Sequence, residues 1–138
     1  MAGYMTKLQG YVYEGELVNG ASGAVQNGIL MVQNGNNLEL PAAESTSKFV
    51  CKEVTTIYGQ TGYRFVVDKL NKRYYFVENG MDDVNDSAEY DNRTYVTKAG
   101  DLLRAHPLIV GEEFLTSAVT GTIAAGTAYG VQADGTIG

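Results

Sequence analysis

The sequence predicts an all-β protein, a small barrel or two packed antiparallel sheets, and three observations carry that expectation. Short β-branched and Tyr-rich runs alternate with Gly-containing breaks, there are 17 Gly against 2 Pro, and no window sustains a helical period. Asn-Gly pairs at 19–20, 27–28 and 34–35 supply residues that tolerate positive φ, as tight hairpin turns require. At 138 residues the chain is long enough for one domain with a sizeable core. The expected plan is a single β domain over 1–138, with 1–9 as an N-terminal arm and 114–138 as small-residue C-terminal strands.

Taken in order, GYVYEGEL (10–17) reads as the first strand. ILMVQ–NGNN–LELPA follows as a hairpin ended by Pro41. KFVCKEVTTIY, a turn at 59–62, YRFVVDK, a turn near 70–72 and RYYFVEN form a central meander. In it Tyr63, Phe65 and Val67 share one face, Arg64 and Asp68 take the other, and Tyr74 is split from Tyr75. MDDVNDSAEYDN is an acidic loop with room for one short helical turn between Asp82 and Tyr90. RTYVTK–AG–DLLRAH reads as a hairpin broken by Pro107, and EEFLTSAVT and TAYGVQ as the last strands, with ADG at 133–135 as a final turn.

Charge and cysteine content narrow the function. A formal net charge of −6 argues against a nucleic-acid backbone as partner, because phosphate binding needs clustered Lys and Arg. No apolar run approaches the length of a membrane span and no leader pattern opens the chain, so neither a membrane partner nor export is expected. Cys51 is the only cysteine, which excludes an intrachain disulfide and favours folding in a cytoplasm.

Catalytic constellations are weak, and the expectation is no enzyme and no cofactor. His106 is the only histidine and reads as a surface or turn residue, while Cys51 reads as a small apolar strand residue. One Cys and one His cannot close a zinc shell without carboxylates. Asp83, Asn85 and Ser87 alternate as in the opening of a calcium loop, but Ala88 stands where such a loop needs Gly and Thr94 where it needs Glu. KLNKRYY sets three basic residues beside two tyrosines, a pattern that can hold single-stranded nucleic acid, yet it brackets a turn and reads as solvated. Glu112 and Glu113 are sent to opposite faces by strand alternation, so they do not form a carboxylate pair.

The stretch from Phe114 to the end holds one charged side chain, Asp134, and is rich in Gly, Ala and Thr. Small residues such as Thr120, Thr122, Ala124, Ala125 and Thr127 let another backbone approach closely. The segment therefore either adds a strand to a partner's sheet edge or completes the chain's own sheet.

Three stretches resemble the head decoration, or cement, proteins of tailed bacteriophages. They are TKLQGYVYEGELVNGA, DVNDSAEYDNRTYVTKAGDLLRAHPLIVGEEFLTSAV and the terminal GTIAAGTAYGVQADGTIG. Their wording is similar to proteins encoded near the major capsid gene in phages and prophages of Gram-positive gut bacteria. The terminal "ADG" turn resembles the lambda-like type, from which the Tyr-rich middle departs. The resemblance implies a non-enzymatic virion protein, made in the host cytoplasm and placed on the outer capsid surface. It would bind the major capsid protein on expanded shells, self-associate there (a homotrimer being one form), and bridge subunits. Candidate docking residues are Tyr4 and Leu8 in the N-terminal segment and Thr120, Thr122 and Ile123 in the C-terminal one. Two rival expectations are a head–tail connector or tail-tube subunit, and a carbohydrate-binding module stacking sugars on Tyr11, Tyr13 and Tyr75.

Overall fold

Eleven strands and no helix make up the described part of the computed structural model, which covers residues 17–57, 59–78 and 96–138. In chain order the strands are β1 (Val18–Asn19), β2 (Val25–Gln26), β3 (Leu30–Asn34), β4 (Asn37–Glu39), β5 (Glu44–Ile57), β6 (Gln60–Lys69), β7 (Tyr75–Val77), β8 (Val96–Thr97), β9 (Ala105–Pro107), β10 (Glu113–Thr116) and β11 (Ala128–Val131). The protein is all-β. Tyr4, Leu8, Tyr11, Tyr13, the acidic run with Asp83, Asn85 and Ser87, and the helical turn expected there lie outside the described residues.

Two larger sheets share the core. A five-stranded sheet runs in the order β1-β4-β3-β7-β9, a four-stranded one in the order β10-β6-β5-β11, and β2 pairs with β8 beside them. All pairings between these strands are antiparallel except the two-residue contact of β1 with β4, and an isolated parallel bridge joins Val119 to Ile137. The β3–β4 hairpin turns where the sequence predicts, at Gly35, whose φ of 65° is the left-handed value that Asn-Gly turns require. β5 and β6 form the longest hairpin, and two register shifts, at Lys48/Phe49 and Cys51/Glu53, bend it. Its turn is tighter than expected: Gln60 already pairs with Ile57, so Gly62 is a strand residue, and a Cβ there would meet Leu115 Cδ1 at 3.4 Å.

The expected meander breaks after β6. β7 does not return beside β6 but crosses to the other sheet, between β3 and β9. The reason lies in the apolar run YYFV. Tyr74 and Phe76 face the cluster that includes Phe49, Phe65, Phe114 and Val131, while Tyr75 and Val77 face a second cluster with Leu17, Met31, Leu38 and Leu103. A strand buried on both faces belongs in a sheet covered on both sides, and the five-stranded sheet is that layer. Alternation thus separates the two tyrosines as expected, but both are buried rather than one solvated.

The expected hairpin over 93–106, whose residues 93–95 lie outside the described ones, also splits. Its turn exists, with Asp101 N–H donating to the Lys98 carbonyl at 3.1 Å and Gly100 at φ 85°. The flanking segments, however, pair elsewhere: β8 with β2, Leu102 with Val18, and β9 with β7. Pro107, lacking an N–H, sits at the end of edge strand β9, where a missing donor costs no ladder bond.

The C-terminal stretch is no arm. β10 pairs with β6, β11 pairs with β5, and Phe114, Val131 and Ile137 are all 0% exposed. The last turn is at 132–136 as predicted: Gln132 N–H donates to Thr136 O at 2.8 Å and Gly135 has a φ of 86°. Of the two roles open to residues 114–138, the observed one is to complete the chain's own sheet. Deleting them would remove two strands and unfold the core, so a truncation there cannot test docking alone.

A polar network closes one end of the core. The Tyr74 hydroxyl donates to the Glu44 carboxylate, which also accepts from Ser47 N–H and Ser47 Oγ, both at 2.9 Å. Asn71 N–H in turn donates to Ser47 Oγ at 2.7 Å, fixing the β6–β7 loop to β5. Burial alone would raise the Glu44 pKa, but bonds from Tyr74, Ser47 and Thr46 outweigh it and hold the carboxyl below its ordinary value. Burial first, then the Glu44 bond and charge, push the Tyr74 phenol well above its usual 10.0.

The signs give two pH limbs. Glu44 has a depressed folded pKa, so its contribution is full above the ordinary carboxylate value and lost as pH falls through the lower folded one. Tyr74 has a raised folded pKa, so its contribution is full below about pH 10 and lost as pH rises above it. Tyr74→Phe is expected to cost about 1 kcal/mol at neutral pH and to flatten the alkaline limb. Urea midpoints across pH check this, and an alkaline limb as steep as the wild type's would contradict it.

Candidate docking surface

Residues 117–127 connect β10 to β11 and contain no ionisable side chain. Thr120, Gly121, Thr122, Ala124, Ala125, Gly126 and Thr127 are exposed, whereas Ile123 between them is buried in the aromatic core. Ile123 therefore anchors the loop from beneath and is not available to a partner, unlike Thr120 and Thr122, which face solvent. An exposed run of small residues with a buried peg in its middle is a ledge.

Backbone bonds hold the ledge at both ends. Thr120 N–H donates to Ile137 O at 3.0 Å, and the Thr120 and Thr136 hydroxyls are hydrogen bonded. Thr136 is itself set by Asp134, whose Oδ1 accepts from Thr136 N–H at 3.0 Å and from its hydroxyl at 2.7 Å. The single carboxylate of the C-terminal stretch is thus occupied in a turn. At the far end Gly126 N–H donates to Cys51 O at 2.7 Å, Cys51 N–H to Thr127 O at 3.0 Å, and Ala124 N–H to the Tyr129 hydroxyl at 2.9 Å. The corners at Gly121 and Gly126 have φ of 77° and 89°, values that L side chains rarely adopt. A surface fixed this way loses little conformational entropy when another protein covers it.

The catalytic candidates are placed apart. Cys51 lies on β5 inside the aromatic cluster, 0% exposed, and burial raises its thiol pKa above the ordinary value, which disfavours the reactive thiolate. His106 is not the surface residue expected. It is 6% exposed on β9 and its Nε2 is paired with Glu78, a contact the sequence spacing of 28 residues gives no sign of. Glu112 is buried and Glu113 half-exposed, as alternation requires; Glu113 binds Arg64 Nη1 at 2.6 Å, and Arg64 Nε reaches Glu53 at 3.3 Å. Arg64 thereby joins β5, β6 and β10 on the outer face. Among the described residues no three His, Cys, Asp or Glu side chains could hold a metal ion.

Tyr75, which sugar stacking would need on the surface, is 3% exposed, and its hydroxyl donates to Gln33 Oε1 at 2.8 Å. The basic residues of KLNKRYY do sit on a solvated turn, with Lys72 and Arg73 exposed. No protein-family model, no curated protein and no solved structure matches the chain.

Proposed function

We propose that the chain is a non-enzymatic virion structural protein that binds the outside of an expanded phage capsid and bridges its major capsid subunits. The observation that carries this reading is the ledge at 120–127. It falls in the terminal stretch whose wording resembles capsid decoration proteins, and it is exposed, uncharged and rigidly fixed. An exposed run of small, uncharged side chains lets a capsid backbone come close without desolvating charge. Thr122 supplies a hydroxyl for direct bonds, the Thr120 hydroxyl, whose proton goes to Thr136, would serve as an acceptor, and Tyr4 and Leu8 of the N-terminal segment would add a second point of attachment. Weak contact per copy suffices, because engagement of several subunits raises the effective affinity.

The test uses surface substitutions. Thr122→Glu combined with Ala125→Glu is expected to weaken binding to expanded shells by about tenfold or more, with thermal unfolding shifted by less than about 2 °C. Deletion of residues 1–9 should weaken binding independently. Shell binding that survives both changes together would defeat the docking assignment.

A further inference from the structure

Among the described residues the dipeptide Asn-Gly occurs at 19–20, 27–28 and 34–35, and the fold gives the three pairs different surroundings. The dipeptide carries a latent reaction. A deprotonated Gly nitrogen can attack the side-chain amide carbon of the Asn before it, and Gly, lacking a Cβ, leaves the approach open. The Asn side chain must be free to turn toward that nitrogen, and the Gly N–H must not be held in a hydrogen bond.

The first two pairs are locked. Asn19 is 1% exposed, its Nδ2 donates to Gly23 O at 3.0 Å and to Thr97 O at 2.9 Å, and its Oδ1 accepts from Ala21 N–H at 2.9 Å. Gly20 N–H donates to Leu38 O at 2.8 Å. Asn27 is 1% exposed as well, and Gly28 N–H donates to Val77 O at 2.9 Å. Asp134–Gly135, which could close the same ring, is held too: Thr136 occupies Asp134 Oδ1, and Gly135 N–H donates to Gln132 O at 2.9 Å.

Asn34–Gly35 is open. It forms the tip of the β3–β4 hairpin, where Asn34, Gly35 and Asn36 are all exposed and nothing lies within 4 Å of the place a Gly35 Cβ would take. The Asn34 amide donates only to the Glu39 carboxylate, at 3.4 Å to either oxygen, a long contact that holds it weakly. Gly35 accepts from Gln33 Nε2 at 3.0 Å through its carbonyl, while its N–H has no acceptor among the described residues. The pairing of Asn34 with Asn37 is the last of the ladder, and such ends open at low cost.

We propose that Asn34 is a site of spontaneous deamidation, with water as the only co-reactant, and that the reaction loosens the β3–β4 hairpin as the protein ages. The Gly35 nitrogen gives its proton to hydroxide and bonds to Asn34 Cγ. The Cγ–Nδ2 bond breaks, and Nδ2 leaves as ammonia with a proton from water. Water then opens the succinimide ring at either carbonyl. Opening at Cγ breaks the new bond and leaves an aspartate. Opening at the main-chain carbonyl breaks the original peptide bond and leaves an isoaspartate, whose main chain runs through Cβ and Cγ. Both products set a new carboxylate beside Glu39, and the second also lengthens the backbone where Asn34 pairs with Asn37. β3 and β4 carry Met31 and Leu38, both 0% exposed, so a shift in register reaches the core. This inference does not depend on the capsid reading.

Ageing the full chain in mildly alkaline buffer, followed by tryptic digestion and mass spectrometry, tests it. Asn19, Asn27 and Asn34 share the peptide between Lys7 and Lys48, where fragmentation assigns each site, and Asn79, outside the described residues, falls on another peptide. Asn34 is expected to convert about tenfold or more faster than Asn19 and Asn27, which react only from opened states, and faster still as pH rises. In urea the three rates should come together. The urea midpoint of the aged wild type should fall, and that of Asn34→Gln aged alongside should fall less. An Asn34 that keeps its amide while the chain is folded, or an Asn19 or Asn27 that converts as fast, would overturn the assignment. Full conversion at Asn34 with an unchanged midpoint would overturn its consequence for the hairpin.

Discussion

Phe114→Ala will lower the unfolding free energy by about 3–5 kcal/mol, the usual cost of emptying a buried aromatic site. Phe114 is 0% exposed, and its ring lies 4.6 Å from Phe76, 5.8 Å from Phe65 and 6.2 Å from Phe49 between centroids. These partners come from β7, β6 and β5, so one side chain joins the two large sheets. The surrounding rings belong to three hydrogen-bonded strands and cannot collapse into the gap. Urea denaturation reads the effect, and a loss below about 1 kcal/mol would mean that this cluster is not the centre of the core.

Gly130→Ala is expected to be as damaging, for the opposite reason. Gly130 sits in β11 against β5, where a Cβ would collide with the Glu44 carbonyl oxygen and lie 3.0 Å from Ser45 Cα. Both obstacles are backbone, so no side chain can swing aside. Relief requires β11 to move off β5, which also disturbs the Glu44 network and the bond from Gly138 N–H to Gly130 O. The expected cost is about 3 kcal/mol or more, read as a lowered urea midpoint or loss of soluble protein. Wild-type stability would show that β11 is not tightly apposed to β5.

Much of the architecture was legible because it is local. The β3–β4 hairpin follows from Asn34 and Gly35, the β5–β6 hairpin from alternating Tyr63, Phe65 and Val67, and the last turn from Asp134 and Gly135. What was not legible is non-local. The run from Tyr74 to Val77 announces a strand but not its neighbours, and only a second covering layer distinguishes a buried tyrosine from a solvated one. His106 and Leu102 likewise take partners, Glu78 and Val18, that no spacing encodes. The ledge was visible as an uncharged stretch of small residues. The inward turn of Ile123 was not, since one apolar residue among threonines carries no period.

Co-sedimentation of the purified chain with expanded and unexpanded shells of its cognate major capsid protein tests the central claim most directly. The account predicts saturable binding to expanded shells, little to unexpanded ones, and a fixed copy number per capsomer. Folded protein that stays in the supernatant with both kinds of shell would contradict it.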